Sequence, residues 1–280
     1  MSALLSTKPF FNLLFNNNNI SLRPIRKPLP SLLVSSSNPL STTLRYSSSS
    51  LLSVAPVEAV LFDIDGTLCD SDPLHYYAFR DMLQEVGFNG GESITEEFFI
   101  QNISGKHNSE LSRLLLPEWE FETAMKFMED KEAYFRRLAS KQLEPVDGLH
   151  KMLKWVDDLG LKRAAVTNAP KENAELLLSM LGLTDFFSMV VLGNDCDRAK
   201  PFPDPYLKAL EGLQASPSHT FVFEDSVSGI KAGVAAGMPV VGIASRNPAN
   251  LLLEAGAVFV IKDFNDPILW TALEETAKLT

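Results

Sequence analysis

The chain has 280 residues, of which 45% are hydrophobic, and its 35 acidic and 25 basic residues give a formal net charge of −10. This length and apolar content predict a sizeable core in one or two domains. An acidic surface repels nucleic acids and anionic lipids, so neither is an expected partner. Two cysteines are too few for a disulfide framework, and no apolar run approaches the ~20 residues that span a bilayer.

The first 57 residues differ in composition from the rest of the chain. They contain no Asp or Glu, and they carry an asparagine tract, a serine run and a few basic residues (Lys8, Arg23, Arg26, Lys27 and Arg45). This composition predicts an organelle transit peptide over residues 1–54, disordered in the precursor. A plastid is favoured over a mitochondrion because serine outnumbers arginine. The alternative is a disordered tail with no targeting role, which would leave the protein in the cytoplasm.

A buried strand and then a helical segment follow the leader. Residues 57–65 form an apolar run that ends in acids, which is typical of a strand in a parallel sheet. Apolar side chains then recur at spacings of three and four, and this predicts four helices over residues 74–88, 95–103, 108–116 and 120–140. Turn residues at 69–73 and 144–148 bound the helical segment and indicate a hinge.

Strands and helices alternate in the remainder of the chain. The predicted strands are 163–168, 188–193, 220–225, 239–244 and 257–261, and the predicted helices are 148–159, 171–182, 204–214, 228–236 and 267–278. Repeated strand–helix units predict an α/β fold with a doubly wound parallel sheet. We therefore expect a core domain made of residues 55–70 and 148–280. A small helical cap, residues 71–147, is inserted after the first strand.

Two aspartates end the first predicted strand. Asp63 and Asp65 are two residues apart, so a strand sends both side chains to the same face, and Gly66 permits a sharp turn directly after them. One carboxylate could attack as a nucleophile while the other acts as general acid and base. Crowding of the two negative charges indicates a cation site as well. An acidic turn without catalytic function is the alternative for this motif alone.

Polar residues also follow later strands. Thr167 and Asn168 could hold phosphate oxygens or form a turn, and Lys200, on a proline-flanked loop, could pair with a phosphate or be solvated. Glu224 and Asp225 end an apolar strand, where two acids are costly unless they bind a cation such as Mg²⁺. Because the carboxyl ends of parallel strands meet at one edge, these side chains are expected to form one site.

The order and spacing of these motifs resemble the haloacid dehalogenase-like hydrolase superfamily. The four motifs are DIDGT (63–67), VTN (166–168), Lys200 with its following proline, and ED (224–225), and the resemblance extends from about residue 57 to the C-terminus. It implies a Rossmann-like core. It also implies that Asp63 is phosphorylated, that Asp65 is the acid/base, and that the other residues bind ligands. The implied phosphoryl ligands are Thr167, Asn168 and Lys200, and the implied Mg²⁺ ligands are Asp63, the Asp65 carbonyl and Asp225, assisted by Glu224.

The family places a small cap of this kind over the substrate. His75 on the first cap helix, and Lys106 and His107 in the cap loop, resemble its substrate-facing groups. A structural His75 and solvated loop residues are the alternatives. Relatives of the β-phosphoglucomutase type hold a second phosphate with an arginine in this loop, whereas Asn108 aligns there in this chain. Simple hydrolysis is therefore favoured over phosphoryl relocation.

The resemblance thus implies a Mg²⁺-dependent phosphatase that hydrolyses small sugar phosphates through an aspartyl-phosphate intermediate. Several segments are similar to a plant sugar phosphatase of this family, although the long leader is a departure from it. The alternatives are a phosphohexomutase, a glycerol-phosphate phosphatase and a catalytically inactive binding protein on the same fold. The expected partner is a small phosphate ester, with no nucleic acid and no membrane, and the expected oligomeric state is a monomer.

Overall fold

In the computed structural model, the described residues are 51–278, and their strands form a six-stranded parallel sheet. The strands are β1 Ala59–Phe62, β2 Lys162–Thr167, β3 Met189–Leu192, β4 Thr220–Glu224, β5 Val240–Ile243 and β6 Phe259–Ile261. Their order, β3-β2-β1-β4-β5-β6, means that the chain winds outward from β1 in both directions. The predicted doubly wound α/β fold is therefore confirmed.

Helices connect the strands and form the insertion after β1. The insertion contains α1 Asp72–Glu85, α2 Glu96–Asn102, α3 Asn108–Leu115 and α4 Phe121–Gln142. The later helices are α5 Leu149–Asp158, α6 Lys171–Met180, α7 Asp204–Leu213, α8 Val227–Ala235, α9 Ala249–Glu254 and α10 Pro267–Ala277. All lie near their predicted positions except α9, which the sequence analysis missed because six residues are too few to show a clear periodicity. No helix within residues 51–278 combines the length and hydropathy needed to cross a bilayer.

The central strand β1 is buried on both faces of the sheet. Val60 and Phe62 point into the layer covered by α5, α6 and α10, while Ala59 and Leu61 point into the layer covered by α7, α8 and α9. Two covered faces explain why the sequence of β1 is a continuous apolar run rather than an alternating one. The strand consequently delivers the residue after it, Asp63, to the middle of the carboxyl edge.

The helical insertion has a hydrophobic cluster of its own. Its buried residues include Phe79, Phe99, Ile103, Leu111 and Met128. The two segments that join the insertion to the sheet run side by side: the Asp70 amide donates to the Glu144 carbonyl (2.9 Å) and the Val146 amide donates to the Leu68 carbonyl (3.0 Å). The insertion thus has packing of its own and two adjacent connections, although Ala78 of α1 and Phe135 of α4 belong to the main core cluster. The cap bounds, residues 71–147, stay a prediction.

The predicted leader, residues 1–54, lies outside the described residues except for its last four positions. Leu52–Val54 form a short 3-10 helix, and the side chains of Leu51 and Val54 are buried in the same cluster as Phe62. The packed core therefore extends at least to Leu51, ahead of the predicted start at residue 55. The apolar residues of this stretch explain the difference, because they pack against the core rather than remain in solvent.

Candidate active site

Acidic side chains from two neighbouring strands meet at the carboxyl edge of the sheet. Phe62 of β1 pairs with Phe223 of β4, so Asp63 and Glu224 leave the sheet next to each other. Carboxylate oxygens of Asp63, Glu224 and Asp225 all lie within 4.8 Å of one another, and all three residues are buried. The strand order reverses at β1, and such a point is where open α/β sheets bind ligands.

Lys200 lies in the middle of this acidic group. Its Nζ donates to Asp63 Oδ1 (2.7 Å), to Glu224 Oε1 (2.6 Å) and to the Val166 carbonyl (2.6 Å), and only 3% of the residue is exposed. Burial by itself lowers the pKa of Lys200, but the two carboxylates outweigh this effect and the pKa is raised. Lys200 is therefore an ammonium group that neutralises part of the acidic charge.

Asn168 holds the loop that carries Lys200. Its Oδ1 accepts a hydrogen bond from the Lys200 amide (3.1 Å), and its Nδ2 donates to the carbonyls of Lys200 (3.1 Å) and of Gly105 in the cap loop (3.3 Å). Thr167 lines the same cavity as Asp63, and its Oγ1 accepts from the Ala169 amide (2.9 Å). Both residues therefore lie at the predicted site, with Asn168 bound to protein groups on both sides of the cavity.

Glu224 is fully enclosed by donors. Its Oε1 accepts from Lys200 and from the hydroxyl of Tyr206 (2.8 Å), and its Oε2 accepts from the amide (3.2 Å) and hydroxyl (3.0 Å) of Ser226. Gly229 packs so closely that a Cβ there would lie 1.7 Å from Oε1. With these four donors in place, the clearest function of Glu224 in the structure is to fix Lys200.

Asp225 and Asp63 form the part of the cluster that suits a metal ion. Burial raises the pKa of both carboxyls well above the ordinary value, and neighbouring carboxylates raise both further, although Lys200 partly offsets the effect at Asp63. Within residues 51–278 no group donates a hydrogen bond to the Asp225 side chain. Two crowded, buried carboxylates with too few donors fit a cation, and oxygen ligands of this kind are those that Mg²⁺ prefers.

Asp65 is held from the cap side. Its Oδ1 accepts from Ser71 Oγ (2.8 Å) and lies 3.1 Å from His75 Nε2. The His75 ring stacks on Phe135 with 3.6 Å between ring centroids, and its Nδ1 lies 3.5 Å from Lys131 Nζ. His75 therefore lines the cavity, as expected of a substrate-facing group, and also orients the second aspartate of the motif.

The cap loop closes against the core. A Cβ at Gly105 would lie 2.6 Å from the Ser226 Cβ, which shows how closely the two loops pack. Lys106 lines the cavity, and its Nζ donates a hydrogen bond to Glu110 Oε1 (2.7 Å). The His107 ring is not part of the cavity lining and instead bonds Asn194 Oδ1 on the core (2.8 Å). The structure therefore brings Lys106 to the site and places His107 at a contact between cap and core.

Three charged residues in the cavity wall were missed by the sequence analysis, namely Asp72 at the start of α1 and the pair Lys131 and Glu132. Lys131 and Glu132 lie on α4 and are both buried, with Lys131 Nζ 2.6 Å from Glu132 Oε1. Their helical positions offered a signal, because they fall between Met128 and Phe135 on the stripe of α4 that faces the interior. Charges on the buried face of an amphipathic helix are rare unless they are paired.

Substitution of Gly66 tests whether cation binding requires the close packing of Asp225 against the turn after β1. Gly66 has a φ of +73°, and a Cβ there would lie 2.1 Å from Asp225 Oδ2. Gly87 has a similar φ of +77° with nothing within 4 Å, so Gly87→Ala is a matched control for backbone strain. We expect Mg²⁺ to raise the melting temperature of wild type and of Gly87→Ala, and not that of Gly66→Ala. An equal Mg²⁺-dependent rise in all three proteins would contradict the assignment.

Comparisons with known proteins agree with this geometry. A family model described as haloacid dehalogenase-like hydrolase matches residues 60–243. The phosphorylated carbohydrates phosphatase of Thermotoga maritima is 33% identical over 209 residues, which are 74% of this chain and 94% of that protein. The crystal structure of a hydrolase of this family (family IA, variant 3) from Entamoeba histolytica superposes with a TM-score of 0.69 at 30% identity, covering 80% of this chain and 99% of that one.

A crystal structure of β-phosphoglucomutase from Clostridium difficile has the same fold, with a TM-score of 0.69 at 24% identity over 79% of this chain and 98% of that one. The family match covers most of the described chain and includes all four motifs in full. The prediction of a hydrolase of this kind is confirmed. The chain belongs to the haloacid dehalogenase-like hydrolase family.

Proposed function

We propose that this protein is a Mg²⁺-dependent phosphatase that hydrolyses small phosphorylated carbohydrates through a phosphorylated Asp63. The observation that carries the proposal is the buried contact of Lys200 Nζ with Asp63 Oδ1 (2.7 Å) beside the carboxylate of Asp225. This arrangement brings a nucleophile, a fixed cation and a metal-ligand pair together. The similarity to the Thermotoga maritima phosphatase supports the substrate class.

Asp63 is suited to nucleophilic attack. Lys200 holds its Oδ1, while Oδ2 accepts no hydrogen bond within residues 51–278 and is the oxygen we assign to the attack. The Oδ2–phosphorus bond forms as the bond between phosphorus and the ester oxygen breaks, which leaves an acyl phosphate on Asp63. Water then attacks phosphorus, releases inorganic phosphate and regenerates the carboxylate.

Positive charge near Asp63 makes this attack feasible. A phosphate dianion is repelled by a carboxylate, and the ammonium of Lys200 offsets part of that repulsion at the site of reaction. Bound Mg²⁺, held by Asp63 and Asp225, would supply Lewis-acid stabilisation of the phosphoryl oxygens. Glu224 fixes the position of Lys200, and Asn168 fixes its loop, so both act through the lysine.

We assign the proton transfers of both steps to Asp65. In the first step its carboxylic acid protonates the departing alcohol oxygen, and in the second its carboxylate removes a proton from the attacking water. Ser71 and His75 hold one oxygen of the group and leave the other available. Ser71 and His75 lie where the cap segment begins. A movement of the cap would therefore also change the orientation of Asp65.

A phosphohexomutase is the second candidate, since the fold is shared with β-phosphoglucomutase. Such an enzyme must hold a second phosphate at the far end of its substrate. Asn108 aligns with the arginine expected there, and its Nδ2 donates to the Glu132 carboxylate (2.9 Å). An amide bound to a carboxylate is a weak anchor for a phosphate, so hydrolysis is favoured. A glycerol-phosphate phosphatase falls within the proposed class.

The test is phosphate release by the full chain over a panel of esters. The panel holds hexose, pentose, triose and glycerol phosphates, with β-glucose 1-phosphate as the mutase substrate. We expect Mg²⁺-dependent release of inorganic phosphate, at least about 100-fold slower in excess chelator and restored by added Mg²⁺. Undiminished rates in chelator, or no release from any ester, would refute the proposal. Conversion of glucose 1-phosphate to its 6-phosphate without net release would identify the mutase instead.

A further inference from the structure

A buried ion pair lies in the cap wall of the cavity, apart from the acids at the sheet edge. Lys131 and Glu132 of α4 are 2% and 5% exposed, and both line the cavity that contains Asp63 and Lys200. Neither belongs to the four motifs. Burial of two charges costs free energy that their attraction does not always return. A buried ion pair in the wall of the substrate cavity therefore suggests that these charges act on the ligand.

Glu132 is a permanent anion at the junction of cap and core. Besides Lys131, it accepts hydrogen bonds from Nδ2 of Asn108 in the cap (2.9 Å) and from Nδ2 of Asn173 in α6 of the core (2.7 Å). The Oδ1 of Asn173 accepts in turn from Arg136 Nη1 (2.8 Å). Burial by itself raises the pKa of Glu132, but Lys131, then His75 and these donors, outweigh it and lower the pKa to about 2.

The same pairing removes Lys131 as a receptor for anions. Its ammonium lies 2.6 Å from Glu132 Oε1 and 4.3 Å from the centroid of the Phe79 ring. Lys106, the other cap lysine in the lining, is paired with Glu110, and Lys200 is paired with Asp63 and Glu224. Among the described lining residues, each lysine thus has a carboxylate partner. A negative group at the far end of a substrate would meet no unpaired lysine and one fixed carboxylate.

We propose that Glu132 is a specificity-determining residue that selects phosphate esters with a neutral, hydroxylated far end and rejects those with a second anion there. Hydroxyl groups can donate to the Glu132 carboxylate and accept from the amides beside it, whereas a carboxylate or second phosphate is repelled. The inference rests on the proposed phosphatase function. It narrows the substrate class to monophosphates of neutral polyols and sugars.

The test compares esters that differ only in a terminal CH₂OH or COO⁻ group. Suitable pairs, matched in configuration, are D-glycerol 3-phosphate with 3-phospho-D-glycerate, and sorbitol 6-phosphate with 6-phosphogluconate. For the full chain with Mg²⁺, we expect kcat/KM to favour the alcohol of each pair. In Glu132→Gln the preference should fall about tenfold or more for at least one pair, because repulsion is removed and Lys131 is freed to bind the acid.

Two further variants separate charge from folding. Lys131→Met combined with Glu132→Gln leaves no buried charge and should give a preference between those of wild type and Glu132→Gln. That double variant still tests the proposal if the unpaired lysine prevents Glu132→Gln from folding. Asp130→Asn, on the exposed face of the same helix and paired with Lys126, should keep the wild-type preference. Thermal unfolding of each variant reports whether it is folded.

Each result bears on a separate claim. A folded Glu132→Gln enzyme, or a folded double variant, with the wild-type preference for both pairs would overturn the specificity assignment. So would a wild-type enzyme that hydrolyses the acids as readily as the alcohols. If wild type releases phosphate from none of these esters nor from p-nitrophenyl phosphate, the proposed function itself fails, and the inference that rests on it fails with it.

Discussion

Replacement of Asp63 by Asn is expected to reduce phosphate release from every substrate on the order of 10⁴-fold or more. The amide is a poor nucleophile for phosphorus, and it no longer pairs with Lys200 as a charge. Asn has nearly the same size as Asp, so the buried position at the end of β1 tolerates it sterically. Initial rates of phosphate release at saturating Mg²⁺ measure the effect, and circular dichroism reports whether the variant is folded.

An exposed aspartate provides the control for this substitution. Asp158, at the end of α5, is more than half exposed, and among the described residues its ion-pair partner is Lys154. Asp158→Asn should therefore keep the wild-type rate. If Asp63→Asn retained turnover within about tenfold of wild type, Asp63 could not be the nucleophile. Loss of a general acid or base alone lowers the rate by ~10²–10⁴, and loss of the nucleophile should lower it at least as much.

Replacement of Lys200 by Met should affect both activity and stability. The buried lysine neutralises Asp63 and Glu224, and removal of one partner from such a group costs about 3–5 kcal/mol. We expect the free energy of unfolding in chelator to fall by about that amount, and phosphate release to be lost. Because a bound cation would neutralise part of the same acidic cluster, added Mg²⁺ should recover some of the lost stability.

Denaturant unfolding with and without Mg²⁺ measures this prediction. Lys208 is a suitable control because it is exposed and, in the part of the chain that the structure describes, its Nζ donates to a single group, the Asp195 carbonyl (2.6 Å). Lys208→Met should change the free energy of unfolding by no more than about 0.5 kcal/mol. A Lys200→Met protein as stable as wild type in chelator would show that the acidic cluster does not depend on this ammonium for its stability.

The sheet edge could be predicted from the sequence because its parts are coded locally. Each strand is a short apolar run, and each of the residues Asp63, Thr167 and Glu224 lies at or directly after the end of a strand. Parallel strands in one sheet bring such ends together, whatever the length of chain between them. Lys200 follows the same logic less directly, since its loop position is fixed by hydrogen bonds to Asn168.

The cap wall of the site could not be predicted in the same way. Glu132 accepts a hydrogen bond from Asn173, which lies 41 positions later in the sequence. That contact depends on how α4 packs on α6, and no local sequence pattern specifies this packing. Tyr206, a donor to Glu224, comes from the buried face of α7, where an aromatic residue is ordinary core packing. Periodicity locates such residues on a helix face, but it does not identify the polar group that each one contacts.

The central claim is that a phosphoryl group is bonded to Asp63 during turnover. The most direct test is to quench the Mg²⁺-loaded enzyme in acid during turnover of a sugar phosphate and to reduce the acyl phosphate with borohydride. The peptide that contains the reduced residue is then sequenced. Reduction of an aspartyl phosphate yields homoserine, and we expect homoserine at position 63, absent when Mg²⁺ is chelated before substrate is added. Homoserine at another position, or phosphate release with no reducible acyl phosphate, would contradict the account.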